Sequence, residues 1–124
     1  MLHKTKKVTR LVIADDSPRA RHGLRTILTT RSDLEVVGEA SQGDDAILLV
    51  EARQPDVALL DVRMPVIGGL QAARTIKNRW PKVRVILISI YADYQSEALS
   101  AGADAFLVKG CPAEELLSIL TGAK

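Results

Sequence analysis

A chain of 124 residues is enough for one domain, and its formal net charge of +2, from 17 basic and 15 acidic residues, is too small to argue for nucleic-acid or membrane binding. Apolar residues make up 47% of the chain but aromatics only 3%, so the core has to be built from Val, Ile, Leu and Ala, the usual filling of a parallel sheet. The single cysteine, Cys111, excludes an internal disulfide and a cysteine metal cage, and no apolar run is long enough for a signal peptide core or a membrane span, so a soluble cytoplasmic protein is expected.

The basic start, residues 1–7 with Lys4, Lys6 and Lys7, reads as a flexible tail ahead of a single domain over residues 8–124. A first strand is expected from Arg10 to Ala14. Ser17-Pro18 then offers a helix N-cap and a proline for the first helical position. Ala20, Leu24, Ile27 and Leu28 follow at helical spacing, while Arg19, Arg21 and Arg25 read as the solvated face of that helix. Leu34 to Glu39 is a short, mixed run of the kind found at a sheet edge. A helix from Asp44 to Arg53 has to stop at Gln54-Pro55, because the residue before a proline avoids helical angles. The third strand, Val57 to Asp61, is followed by loop signals at Met64-Pro65 and Gly68-Gly69, then a helix to Arg79. Arg84 to Ser89 is the fourth strand. The next helix, Asp93 to Ala101, is capped by Gly102 in the left-handed conformation. A fifth strand leads from Ala105 to Lys109, and Cys111-Pro112, with Glu114 and Glu115 in the first turn, opens the last helix. Strands alternating with helices predict a flavodoxin-like (βα)5 fold, a doubly wound parallel sheet of order 2-1-3-4-5.

Four of those strands stop at polar groups. Asp15 and Asp16 follow the first, Asp61 ends the third, Ser89 the fourth and Lys109 the fifth. In a parallel sheet all these ends share one edge, which is where open α/β sheets carry their sites. Taken singly, Asp15-Asp16 also fits a solvated turn at a helix N-terminus, Lys109 a surface lysine and Ser89 a helix-approach hydroxyl. Taken together, three converging carboxylates raise each other's pKa unless neutralised, and Mg²⁺ relieves this while keeping room for waters and a phosphate oxygen. An ionised carboxylate needs no general base to attack phosphorus. The arrangement therefore suits phosphoryl transfer, with Asp61 as nucleophile and Mg²⁺ on Asp16 and Asp61. Lys109 and Ser89 are then placed for the remaining phosphoryl oxygens.

The set Asp15-Asp16-Ser17, Asp61 with Met64-Pro65, Gly68-Gly69, Ser89 and Lys109 resembles the receiver domain of two-component response regulators, from Val8 to Thr121. The resemblance implies that Asp61 is the phosphorylation site, charged from a phosphohistidine on a sensor histidine kinase or a phosphotransfer protein. It implies Mg²⁺ held by Asp16 and Asp61, by Asp15 through water, and by the backbone carbonyl of Arg63. Phe106 stands at the aromatic switch position that responds to movement of the Ser89 hydroxyl; a plain core role is the alternative. The resemblance also gives Arg63 and Tyr91 a part in tuning hydrolysis of the acyl phosphate. Lys109-Gly110-Cys111-Pro112-Ala113-Glu114-Glu115 is similar to receivers joined to LuxR-type helix-turn-helix output domains. A lysine-proline step is absent, which leaves the isomer of the Lys109–Gly110 bond open.

The expected function is thus a phosphorylation switch of a two-component system, not an enzyme acting on a separate substrate. It is expected to be the receiver part of a transcription regulator, to homodimerise on phosphorylation, and to make no direct contact with nucleic acid or membrane. The alternatives are a stand-alone receiver acting by protein–protein contact, a Mg²⁺-dependent phosphohydrolase of the haloacid-dehalogenase type, and a binding module with a vestigial site. The hydrolase would need an acid two residues after its nucleophile, where Arg63 stands.

Overall fold

The computed structural model describes residues 7–122, so all of the expected tail except Lys7 lies outside the described residues. Five strands, β1 (Thr9–Ala14), β2 (Leu34–Ala40), β3 (Val57–Asp61), β4 (Arg84–Ser89) and β5 (Ala105–Val108), form one sheet of order β2-β1-β3-β4-β5. Every neighbouring pair is parallel. The helices are α1 (Pro18–Leu28), α2 (Gly43–Arg53), α3 (Gly69–Arg79), α4 (Gln95–Ser100) and α5 (Ala113–Thr121).

The strands are apolar on both faces, because helices cover both. Leu11, Ile13, Leu59, Ile86 and Leu107 meet Leu28 of α1 and Leu116 and Leu120 of α5. Their alternates Val12, Ala58, Leu60, Val85 and Leu87 meet α2, α3 and α4 through Ala46, Val50, Ala72, Ile76 and Ala98. Leu59 is fully buried, so Leu59→Ala is expected to cost about 2–5 kcal/mol.

The local rules explain most boundaries. The Ser17 side chain accepts from the Ala20 N–H, with Pro18 as the first residue of α1. Gln54 ends α2 in the left-handed region at φ 47°, ahead of Pro55. Gly102, at φ 93°, follows α4; its N–H reaches Leu99 O and that of Ala103 reaches Ala98 O, the paired bonds of a Schellman stop. Three boundaries differ from expectation. The segment before α4 is a 3-10 turn, Ala92–Tyr94, in which Tyr91 is packed edge-on against Tyr94 with ring centroids 6.3 Å apart. α5 begins at Ala113 with Pro112 as its N-cap. β2 runs one residue further, to Ala40, and slips register opposite Leu11/Val12. The Lys109–Gly110 bond is trans, and Gly110 turns the chain with φ 91°.

Candidate functional site

The carboxyl edge of the sheet gathers the predicted polar residues. β1 delivers Asp15, 1% exposed, and Asp16, which is exposed. β3 delivers Asp61, 6% exposed, and β4 delivers Ser89, 1% exposed. Oxygens of Asp15, Asp16 and Asp61 lie within 4.8 Å of one another. Beyond β5, Lys109 places its Nζ 2.7 Å from Asp15 Oδ2 and 2.8 Å from Asp61 Oδ2. A hollow of about 350 Å³ is lined by Asp16, Asp61, Arg63, Ser89, Tyr91 and Lys109, so the hydroxyl and the amine share the rim with the acids.

Each carboxylate is partly oriented by backbone. Asp15 Oδ1 accepts from the Ser17 N–H at 2.9 Å, and Asp61 Oδ1 from the Arg63 N–H at 3.2 Å. The Ser89 hydroxyl accepts from the Tyr91 N–H at 3.0 Å. Gly69 permits the close return of the chain after β3: a Cβ there would sit 2.1 Å from the Asp61 carbonyl oxygen. Val66, in the intervening loop, is held at φ 67°, an uncommon conformation for a β-branched residue.

The electrostatics follow from burial. Loss of water raises the Asp61 pKa above the usual carboxylate value, and the Asp15 charge adds to this; hydrogen bonds from Lys109 and Arg63 oppose both. Burial also works to lower the Lys109 pKa, but its hydrogen bonds to Asp15 and Asp61 prevail and the ammonium is held above its ordinary value. One ammonium thus bridges two of three clustered carboxylates, leaving two formal negative charges. Three oxygen donors with that excess charge fit a hard divalent cation. The donor set lacks sulfur and imidazole, which agrees with Mg²⁺ rather than zinc.

The other predicted residues take distinct places. The Arg63 guanidinium lies over the Tyr91 ring, 5.7 Å from its centroid, beside the hollow. Phe106 is half-buried on β5 and packs against the α2–α3–α4 side of the core. Cys111 is half-buried, and burial with the nearby Glu115 raises its thiol pKa, against any unusual reactivity. The helix-face reading of the arginines holds for exposed Arg19 and Arg25 but fails for Arg21. Arg21 donates to the Asp15 backbone carbonyl and lies 3.6 Å from Glu39, and Arg25 pairs with the same glutamate. Helical spacing alone cannot reveal this, because the glutamate comes from β2.

Three acids and an amine meet on the carboxyl edge of an order 2-1-3-4-5 sheet, an arrangement suited to aspartate-centred phosphoryl chemistry. Comparison with known proteins carries this further. The response regulator receiver domain family matches residues 11–121, and the chain belongs to that family. It is 39% identical over 110 residues to the transcriptional regulatory protein YhcZ of Bacillus subtilis (strain 168), covering 87% of this chain and 51% of that one. It is 38% identical over 109 residues to the transcriptional regulatory protein DegU of Brevibacillus brevis, covering 86% and 46%. A two-component response regulator of the LuxR family from Aurantimonas sp. SI85-9A1 superposes with a TM-score of 0.87 at 27% identity, covering 95% of this chain and 89% of that one. The chain spans about half the length of the transcriptional regulatory proteins it matches. No helix among the described residues is long and apolar enough to cross a membrane.

Proposed function

We propose that this domain, over residues 8–124, is a phosphorylation switch in which Asp61 accepts a phosphoryl group from a sensor histidine kinase or a phosphotransfer protein. The observation that carries the reading is the meeting of Asp15, Asp16 and Asp61 within 4.8 Å, with Lys109 bridging two of them. An Asp61 oxygen forms the new bond to phosphorus as the bond from phosphorus to the donor imidazole breaks, and the imidazole leaves with its electron pair. Asp16, Asp61 and the Arg63 carbonyl would hold Mg²⁺ directly, with Asp15 reaching it through water. Bound there, Mg²⁺ supplies charge neutralisation for the phosphoryl oxygens.

The chain's own groups do the rest. Lys109 keeps its proton and moves its hydrogen bonds from carboxylate to phosphoryl oxygen. The Ser89 hydroxyl accepts from the Tyr91 N–H, and among the described residues its own proton has no acceptor, so it can donate to a phosphoryl oxygen. Moving that hydroxyl would vacate space beside β5, and the Phe106 ring would turn inward to fill it. The inward ring buries no polar group, unlike a tyrosine. Arg63, stacked on Tyr91, screens one side of the hollow and slows attack of water on the acyl phosphate.

The likeness to LuxR-type and other transcriptional regulators supports a role as the receiver part of a cytoplasmic DNA-binding regulator that homodimerises on phosphorylation. The receiver itself would contact neither DNA nor membrane and would act on no separate substrate. Arg63 at the position where a phosphohydrolase needs its second acid disfavours the hydrolase reading. Incubation with Mg²⁺ and acetyl phosphate, followed by intact-mass measurement, tests the proposal. A gain of one acid-labile phosphoryl group, absent in Asp61→Asn, is expected. Turnover of the donor without any adduct would favour a hydrolase, and neither adduct nor turnover would favour a vestigial site.

A further inference from the structure

We infer that Arg21 is a positioning residue for the metal site, holding the Asp15–Asp16 peptide so that Asp16 faces Asp61. The inference rests on the metal reading above and names a residue that this reading does not use.

The argument begins where the ladder ends. Ala14 is the last β1 residue paired with β3, so the peptide groups of Asp15 lie past the regular hydrogen bonds between those strands. The Asp15 N–H is taken by Ala40 O at 3.0 Å, at the end of β2. The Asp15 carbonyl is taken by Arg21, one turn into α1. That carbonyl and the Asp16 N–H share one rigid peptide plane, so fixing the oxygen fixes the direction in which Asp16 leaves the strand. Asp15 and Asp61 have other orienters in Ser17, Arg63 and Lys109. The Asp16 carboxylate is exposed and has no such partner among the described residues. Its placement within 4.8 Å of the other two acids therefore depends on its backbone.

Arg21 is itself held. Its side chain is 19% exposed, and its Nε lies 3.6 Å from Glu39 Oε1. Glu39 also receives Arg25, on the outer side of the same pair. The Arg21 N–H donates to Ser17 O, which ties the start of α1 to the turn that carries Asp16. Arg21 thus supports the metal site from behind, as outer-shell partners of metal ligands do.

Charge and position make opposite predictions here. Removing a cation beside three carboxylates tightens cation binding if Arg21 acts only through its charge. Removing the group that aims Asp16 weakens it. The probe is Mn²⁺ added to the full chain, with free ion read from its electron paramagnetic resonance signal. Arg21→Met, which keeps the apolar stem, is expected to weaken Mn²⁺ binding about tenfold. Arg21→Lys, with the charge and a donor retained, is expected to recover most of that loss, and Arg25→Gln to bind like the parent. An Arg21→Met chain that binds Mn²⁺ as tightly as the parent, or more tightly, overturns the assignment. If Arg21→Met does not fold by circular dichroism, Arg21→Gln is judged by the same two outcomes. A parent chain that leaves the Mn²⁺ signal unchanged overturns the metal reading as well, so the two failures are distinguishable.

Discussion

The two edges of the sheet use charge in opposite ways. At the amino edge, charged groups tie the chain to itself. Lys77 Nζ donates to Pro81 O and Val83 O at 3.0 Å each and to Asp104 Oδ2 at 2.9 Å. Asp104 also accepts from the Val85 N–H, Asp56 accepts from the Arg10 N–H, and Arg84 donates to the carbonyls of Ile119 and Leu120 at the end of α5. At the carboxyl edge, three acids cluster and one ammonium bridges two of them. The first arrangement satisfies backbone groups that would otherwise be orphaned. The second leaves an excess of negative charge that a divalent cation would offset. Stability is concentrated at one end of the molecule and chemistry at the other.

Matched substitutions sharpen that contrast. Lys109→Ala should slow phosphoryl uptake on Asp61 by about 10²–10³-fold, the usual cost of removing one positioned donor from a developing oxyanion. It should also lower the melting temperature without Mg²⁺, with saturating Mg²⁺ restoring part of the loss. Lys77→Ala, which removes three hydrogen bonds, should cost about 2 kcal/mol of stability whether or not Mg²⁺ is present, and should leave uptake unchanged. A Lys77 effect that Mg²⁺ relieves would erase the distinction. Calorimetry in both conditions reads the stability difference.

Two smaller effects come from the buried acids themselves. Mg²⁺ at ten times its dissociation constant should stabilise the parent by about 1.4 kcal/mol, and Asp61→Asn should blunt the gain. The pH dependence follows from the raised Asp61 pKa. The folded chain binds that proton more tightly than the unfolded one, so without metal this group favours folding more as pH falls through its raised value. Metal binding requires the ionised carboxylate, so the Mg²⁺ stabilisation should fade over the same window, above the usual carboxylate range. The Lys109 contribution has the same sign in a higher window; it is present below the ordinary lysine value and lost above the raised one. The smallest effect expected is at the rim. Arg63→Ala with Tyr91→Ala should speed loss of the phosphoryl group by about tenfold or less, and an unchanged decay rate would remove the screening role.

Sequence reading reached the sheet and its acids because the signals are local. Every strand but the mixed β2 carries a short apolar run bounded by proline, glycine or charge, and β4 runs from Arg84 to Ser89 as its residues suggest. Strand order then turned four strand ends into one site. The parts that stayed hidden depend on contacts between distant elements. Glu39 and the Asp15 carbonyl draw Arg21 out of an otherwise solvated helix face. Lys109 is shared between two carboxylates before any phosphoryl group is present. Beside the turn at Ala92–Tyr94, Tyr91 packs on Tyr94 and under Arg63 from the loop after β3, and the Arg63 contact is one that helical spacing does not report.

The most direct test is chemical. The chain is charged with acetyl phosphate and Mg²⁺, reduced with borohydride, digested and sequenced by mass spectrometry. The account predicts homoserine at position 61, formed by reduction of the acyl phosphate, with Asp15 and Asp16 unmodified. Homoserine at position 15 or 16 with Asp61 intact would contradict it.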